Sequence, residues 1–166
     1  GKLTMVCAIA LVGGCSSVDP RIIDPILQTV ETSNDERVRI DFDSYVDEEW
    51  DELGLVCAFT TIDTVEKGLG FTWSGAPAFD STDSEFLLFA ENHKVIAWSE
   101  VPSQLSFCTY GENSTDGIRV VLRENSQMTL VRTKVDDPLG SIDEYWLVDP
   151  ASVMVDREVL EGAPVP

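Results

Sequence analysis

The chain has 166 residues, enough for one domain with a hydrophobic core and few for two. Hydrophobic residues make up 43% and charged residues 25%, which is typical of a folded globular protein and argues against disorder. Thirty acidic side chains against eleven Lys and Arg give a net charge of −19. This charge argues against nucleic-acid binding and is compatible with a cationic partner, a divalent cation or plain solubility.

The first fifteen residues have the layout of a secretory leader. Lys2 supplies a positive start, and residues 3–12 form an apolar run interrupted by Thr4. About ten apolar residues are too few to cross a bilayer, which needs about twenty, but they suit the middle of a leader. The run ends in Val12-Gly13-Gly14-Cys15. A buried apolar helix ending at a Gly-Gly turn is the alternative.

The 12–15 segment resembles the lipobox of bacterial lipoproteins. The resemblance implies a signal peptide over 1–14, cleavage before Cys15, a diacylglycerol on its thiol and palmitate-type acylation of the new amino terminus. It also implies a lipid-anchored protein of the cell envelope, facing outside the cytoplasm. If the cell is Gram-negative, Ser16 is compatible with the periplasmic side of the outer membrane. Several acyl chains on one cysteine anchor a protein stably without a transmembrane helix.

Two cysteines remain once Cys7 leaves with the leader and Cys15 is lipidated. Cys57 and Cys108 lie in apolar segments of a chain expected outside the reducing cytosol, so we predict a disulfide between them. Two buried free thiols are the alternative. A zinc site is not expected, because two distant cysteines and His93 fall short of a tetrahedral ligand set.

Four segments are predicted along the chain. Residues 1–14 are the leader, and residues 15–36 are expected to be a lipidated tether with a short helix starting at Asp24-Pro25. From Arg37 the hydrophobic period changes to two, which predicts strands and a single domain over 37–150. Residues 151–166 are expected to be a C-terminal tail.

The 37–150 domain is predicted to be α+β. The 53–61 segment is continuously apolar and is expected to be a central strand. Other strands are predicted at 38–42, 86–90, 94–98, 105–110, 118–122, 128–133 and 144–148, with a short helix at 62–70. Turns at 91–93 and 123–127 predict two hairpins. About eight strands and one or two short helices give a mainly antiparallel sheet, with strong curvature or closure left open.

A second resemblance covers roughly residues 50–110. Trp50-Asp51-Glu52-Leu53, Leu69-Gly70-Phe71-Thr72-Trp73 and the pair of segments 86–89 and 94–96 carry it. They are similar to a loose group of small uncharacterised bacterial envelope lipoproteins. The resemblance supports the architecture and implies no activity or site residues.

An acidic run precedes the predicted central strand. Its seven acids are Asp41, Asp43, Asp47, Glu48, Glu49, Asp51 and Glu52. Aligned to a twelve-residue calcium loop, the run has Val46 where such loops need glycine, so a looser calcium site and a solvated acidic edge are the alternatives.

Two tryptophans are expected to be partly exposed: Trp50 within the acidic run and Trp73 before a Ser-Gly-Ala-Pro loop. Exposed tryptophan in an acidic field favours recognition of a cationic protein or a sugar. The candidate binding surface is Asp47, Glu48, Glu49, Trp50 and Asp51.

Catalysis has little support in the sequence. The single histidine, His93, is placed at a hairpin tip, where it would not be held as a catalytic base must be. Paired carboxylates are too numerous to single out a pair. We therefore expect a non-enzymatic, lipid-anchored binding protein with no cofactor and no metal, and with a cationic protein as partner. A structural or assembly component of the envelope is the alternative, and a carboxylate-based hydrolase ranks last.

Overall fold

The computed structural model describes residues 17–77, 83–108, 116–136, 138–139 and 142–162. The leader and Cys15 lie outside these ranges. Within them the chain forms two α-helices and nine strands in two mostly antiparallel sheets, so the predicted α+β fold is confirmed. The helices are α1 (Pro20–Glu31) and α2 (Ile62–Leu69). The strands are β1 (Arg37–Asp41), β2 (Glu52–Val56), β3 (Phe86–Glu91), β4 (Lys94–Glu100), β5 (Leu105–Ser106), β6 (Gly117–Leu122), β7 (Gln127–Asp136), β8 (Ile142–Val148) and β9 (Arg157–Leu160).

The small sheet has the order β1-β7-β8-β5, and the large sheet has the order β4-β3-β2-β6-β9. All pairs are antiparallel except β5 with β8. As its continuous apolar sequence predicted, β2 lies in the middle of the large sheet. Both sheets are open in the strands that the structure describes.

The large sheet is buried on both faces. Leu53, Leu87 and Phe89 pack in the main core together with residues of the small sheet. Leu88 and Ile118 pack in a second core beneath α2. The layers are therefore the small sheet, the large sheet and α2, with one apolar core on each side of the large sheet.

Helix α1 belongs to the main core, which corrects the prediction of a tether over 15–36. Its N-cap is Asp19, followed by proline, so the helix begins before the predicted Asp24-Pro25 start and Pro25 lies inside it. Its buried side chains are Ile22, Ile23, Ile26 and Val30. Their spacing puts them on one helical face, which packs against the edge strands β1 and β4 of the two sheets.

The predicted hairpin over 118–133 is wrong. β6 pairs with β2 and β9 in the large sheet, whereas β7 pairs with β1 and β8 in the small sheet. The connection is a 3₁₀ turn, Arg123–Asn125, and the Ser126 carbonyl accepts a hydrogen bond from the Phe42 N–H (3.3 Å). The apolar side chains of β6 are buried on both faces of the large sheet, whereas β7 continues into the small sheet.

The C-terminal segment also differs from the predicted tail. Within 151–166, Arg157–Leu160 forms β9 at the edge of the large sheet, while 163–166 lie outside the described residues. Arg157 forms an ion pair with Glu52 (2.8 Å), and Arg119 forms one with Glu158 (2.6 Å). This strand has few apolar residues, so its sequence pattern alone did not reveal it.

The structure contains the predicted disulfide between Cys57 and Cys108. Its S–S distance is 2.12 Å, and both cysteines are buried. Cys57 follows β2 of the large sheet, and Cys108 follows β5 of the small sheet. The bond therefore links the two sheets covalently.

Candidate functional site

The acidic run is a loop rather than the rim of one strand. β1 ends at Asp41, a 3₁₀ turn follows over Phe42–Ser44, and residues 45–51 lead into β2. The predicted surface residues Asp47, Glu48, Glu49 and Asp51 are exposed. Their carboxylates are therefore available at the surface, as a binding role requires.

Trp50 is not part of that surface, which corrects the predicted exposed anchor. Only 2% of it is exposed, and its ring lies edge-on to Phe89 with 5.2 Å between ring centroids. Val46, four residues earlier, is buried in the same core. The two apolar side chains turn inward and leave their acidic neighbours in solvent.

Arg123 lies in the 3₁₀ turn after β6 and places a cation beside the acidic run. Its guanidinium donates to Asp43, to Glu49 (3.1 Å) and to the Trp50 carbonyl (3.2 Å). The hydrogen bond with Asp43 raises the pKa of Arg123 above its usual range. No sequence signal near the run indicated this partner, because Arg123 lies more than seventy residues further along the chain.

The calcium alternative gains no geometric support. In the described ranges, no three His, Cys, Asp or Glu side chains are grouped as a metal ion would need. Asp41 accepts from the Asp43 N–H (3.2 Å), and Glu52 pairs with Arg157. Asp41 and Glu52 thus have separate protein partners and do not share a site.

A groove of about 450 Å³ runs along β4 and contains part of the predicted surface. One wall carries Glu48 and Glu49 from the acidic loop, together with Arg21 of α1. The opposite wall is formed by Trp73 and the two residues that follow it. We call this feature the β4 groove.

The floor of the β4 groove comes from the β3–β4 hairpin. Glu91 and Lys94 flank its turn and lie opposite each other in the register. Val95, Ile96 and Trp98 complete the lining. The hairpin was predicted, but the association of its residues with Glu48 and Glu49 was not, because it depends on the packing of α1 and the acidic loop.

Two tryptophans meet at the groove. Trp73 and Trp98 are edge-to-face with 6.1 Å between ring centroids, and Trp98 also contacts Phe86 at 6.1 Å. Trp73 is 6% exposed, so the prediction of partial exposure is wrong for it, whereas Trp98 is half-buried. The carboxylate of Glu66 in α2 fixes this wall by accepting the Trp73 N–H (2.8 Å).

Arg21 is held at the groove by two acids. It pairs with Asp19 (2.8 Å), the N-cap of its own helix, and lies 3.9 Å from Glu48. Partial burial raises the pKa of Asp19, but the hydrogen bonds from Arg21 outweigh it and the net shift is downward. Asp19 therefore stays ionised and holds Arg21 beside Glu48.

His93 lies at the tip of the β3–β4 turn with positive φ. It is exposed, and its ring packs edge-on to Phe71 at 5.9 Å between centroids. The contact gives His93 a packing role.

No family model, curated protein or solved structure matches the chain. None of the helices in the described part of the chain is both long and apolar enough to span a membrane.

Proposed function

We propose that the protein is a non-catalytic, lipid-anchored envelope protein that binds a cationic segment of another protein in the β4 groove. The observation that carries the proposal is the composition of the groove. Glu48, Glu49 and Glu91 line the groove together with the half-buried Trp98, against the two cations Arg21 and Lys94, in a chain of net charge −19.

The net charge favours encounter with a cationic partner. A strongly negative surface raises association rates with positive molecules. The lining of the groove adds to this with three acids against two cations. Arg21 pairs with Glu48 and Arg123 pairs with Glu49, but the side chains of both glutamates are exposed. Exposed ion pairs contribute little to stability, so an incoming Lys or Arg can exchange with them at small cost.

Trp98 is suited to serve as an aromatic anchor. Trp73 and Phe86 hold its ring, so little conformational freedom is lost when a ligand covers the exposed part. Tryptophan is over-represented among residues that dominate binding energy, and its face attracts cations. The groove thus combines charge for attraction with a rigid apolar contact.

The proposed address rests on the lipobox before Cys15 and agrees with the Cys57–Cys108 disulfide, since disulfides persist in oxidising compartments. Wild-type protein should partition with membranes, whereas Cys15→Ala should stay uncleaved or appear in the soluble fraction. Membrane fractionation with mass spectrometry of the amino terminus tests this. Wild type found wholly soluble with an unmodified amino terminus would rule out the lipid anchor.

The binding proposal is tested by neutralising the groove acids. The triple variant Glu48→Gln/Glu49→Gln/Glu91→Gln should lose most capture of cationic partners from envelope extracts at low salt, and rising salt should release them from wild type. A matched control, Glu31→Gln/Asp35→Asn/Glu124→Gln, removes the same charge at exposed positions elsewhere. Equal loss in both triples would attribute capture to net charge alone, and capture unchanged in the groove triple would refute the proposal.

A further inference from the structure

We infer that the occupant of the β4 groove is an extended strand that pairs with the outer edge of β4. Its side chains would alternate between cationic and apolar residues. This inference rests on the proposed binding function and specifies the partner's conformation and sequence pattern.

β4 is the outermost strand of the large sheet. Among the strands in the described ranges, its one neighbour is β3. An edge strand presents N–H and C=O groups that can pair with an added strand. The chain already uses one end of this edge, because the Ser17 carbonyl accepts a hydrogen bond from the Glu100 N–H (3.0 Å).

The Ser17 contact also defines which backbone groups face outward. Successive residues of an antiparallel strand direct their N–H and C=O groups to opposite edges. The N–H of Trp98 therefore faces the same side as that of Glu100, whereas Ala97 and Ser99 face β3. A bulge at the Phe89/Ala90 step inserts Ile96 between the pairs of Val95 and Ala97. Residues 94–98 are the part of the edge that borders the groove.

The two walls of the groove lie on opposite sides of the large sheet. Trp73 and Trp98 pack in the core beneath α2, whereas Glu48 lies beside Arg21 on the side of α1. A groove with walls from both sides must run along the edge of β4 itself. Backbone pairing at this edge is therefore compatible with contacts to both walls.

The different chemistry of the walls gives the expected sequence pattern. Side chains of an extended strand point alternately to the two faces of a sheet. In a strand added to β4, one row would meet Glu48 and Glu49, and the other would meet Trp98. The cation on the acidic wall, Arg21, is already paired with Asp19. Lysine or arginine in the first row and apolar side chains in the second row complement these walls. Backbone hydrogen bonds would supply affinity, and the two rows would supply specificity.

Three octapeptides test the inference by calorimetry on the chain of residues 15–166. One alternates Lys and Val, one has four Lys followed by four Val, and one alternates Glu and Val. The alternating cationic peptide should bind on the order of tenfold more tightly than the block peptide. The acidic peptide should not bind detectably.

Amide hydrogen exchange by NMR reports strand pairing directly. Binding of the alternating Lys-Val peptide should slow exchange of the Trp98 N–H by roughly tenfold or more. The N–H groups of Ala97 and Ser99, which face β3, are internal controls and should be unaffected.

The outcomes separate this inference from the proposed function. Two results would overturn strand addition and leave the binding function standing, provided that the groove triple variant abolishes binding of the peptide. One is binding without slower exchange of the Trp98 N–H, and the other is equal affinity for the alternating and block peptides. Full protection of the Trp98 N–H without peptide would also overturn it. Failure of both cationic peptides to bind would overturn the inference and the proposed function together.

Discussion

The guanidinium of Arg123 lies over the indole ring of Trp50, 5.3 Å from the ring centroid. The same group donates to the Trp50 carbonyl and to the carboxylates of Asp43 and Glu49. One cation thus fixes the acidic loop on the body of the protein and neutralises part of its repulsion. The loop that carries Glu48 into the groove depends on a residue eighty positions after Asp43.

Arg123→Gln should therefore loosen the acidic loop. We expect the thermal midpoint to fall by a few degrees and the tryptophan fluorescence of the protein to shift as the surroundings of Trp50 open to water. The control is Arg39→Gln, which removes the same charge from an exposed position on β1. Differential scanning calorimetry and fluorescence measure both effects, and an identical response of the two variants would contradict the role given to Arg123.

Loss of the disulfide should destabilise the fold substantially. Cys57 and Cys108 are 51 positions apart, and for a loop of this size the chain-entropy model gives about 4 kcal/mol, less any effect in the folded state. Urea unfolding of the Cys57→Ala/Cys108→Ala variant measures the loss against oxidised wild type. Thiol titration of the denatured, unreduced domain beginning at Cys15 should find no free thiol at 57 or 108, and two titratable thiols there would refute the bond.

Gly68→Ala should destabilise the protein although alanine is the better helix former. A Cβ at Gly68 would lie 2.3 Å from the Ile118 Cγ2, so the Ile118 side chain or α2 must shift. Such overpacking costs about 1–3 kcal/mol, whereas helix propensity alone would stabilise by about 1 kcal/mol. Chemical denaturation decides the sign. Gly54→Ala is a milder comparison, because its Cβ would meet the Ile118 Cδ1 at 3.3 Å.

Glu161 should make stability depend on pH in the acid range. Partial burial raises its pKa, but hydrogen bonds from the Thr61 N–H and from the hydroxyls of Thr64 and Thr61 outweigh this, and the net shift is downward. A carboxylate with a lowered folded-state pKa stabilises the fold above its ordinary value of 4.5 and loses that contribution as pH falls further.

The variant Glu161→Gln tests this linkage. Its deficit in unfolding free energy relative to wild type should be largest near pH 7 and should shrink as pH falls below 4.5. Glu124→Gln, at an exposed position, serves as the control. A deficit for Glu161→Gln that stays constant from pH 7 to pH 3 would show that the charged hydrogen bonds contribute nothing specific.

Local sequence patterns predicted the secondary structure correctly where the contacting residues are close in the chain. The alternation of Val38 and Ile40 identified β1, and the Asn92-His93 turn identified the β3–β4 hairpin. The central position of β2 followed from its unbroken apolar sequence, and cysteine parity with the expected compartment predicted the Cys57–Cys108 bond.

The errors arose where distant contacts decide the outcome. β6 and β7 are separated by four residues, a spacing that permits a hairpin, yet each is paired by strands from elsewhere in the chain. Trp50 has acidic neighbours in sequence, but Phe89 and Arg123 bury it. The groove likewise forms only when packing brings Arg21, Glu48 and Trp98 together. The hydrophobic periodicity of a single segment does not predict such packing.

The early start of the fold limits how the molecule would move on a bilayer. The Ser17 carbonyl already accepts a hydrogen bond from the Glu100 N–H of β4, and one residue, Ser16, lies between it and Cys15. An extended chain covers at most about 3.6 Å per residue, so a lipid on Cys15 would have about 7 Å of slack. If the proposed anchor is present, the folded domain would diffuse along the membrane at a nearly constant height, and it would meet partners only within a thin layer above the lipid.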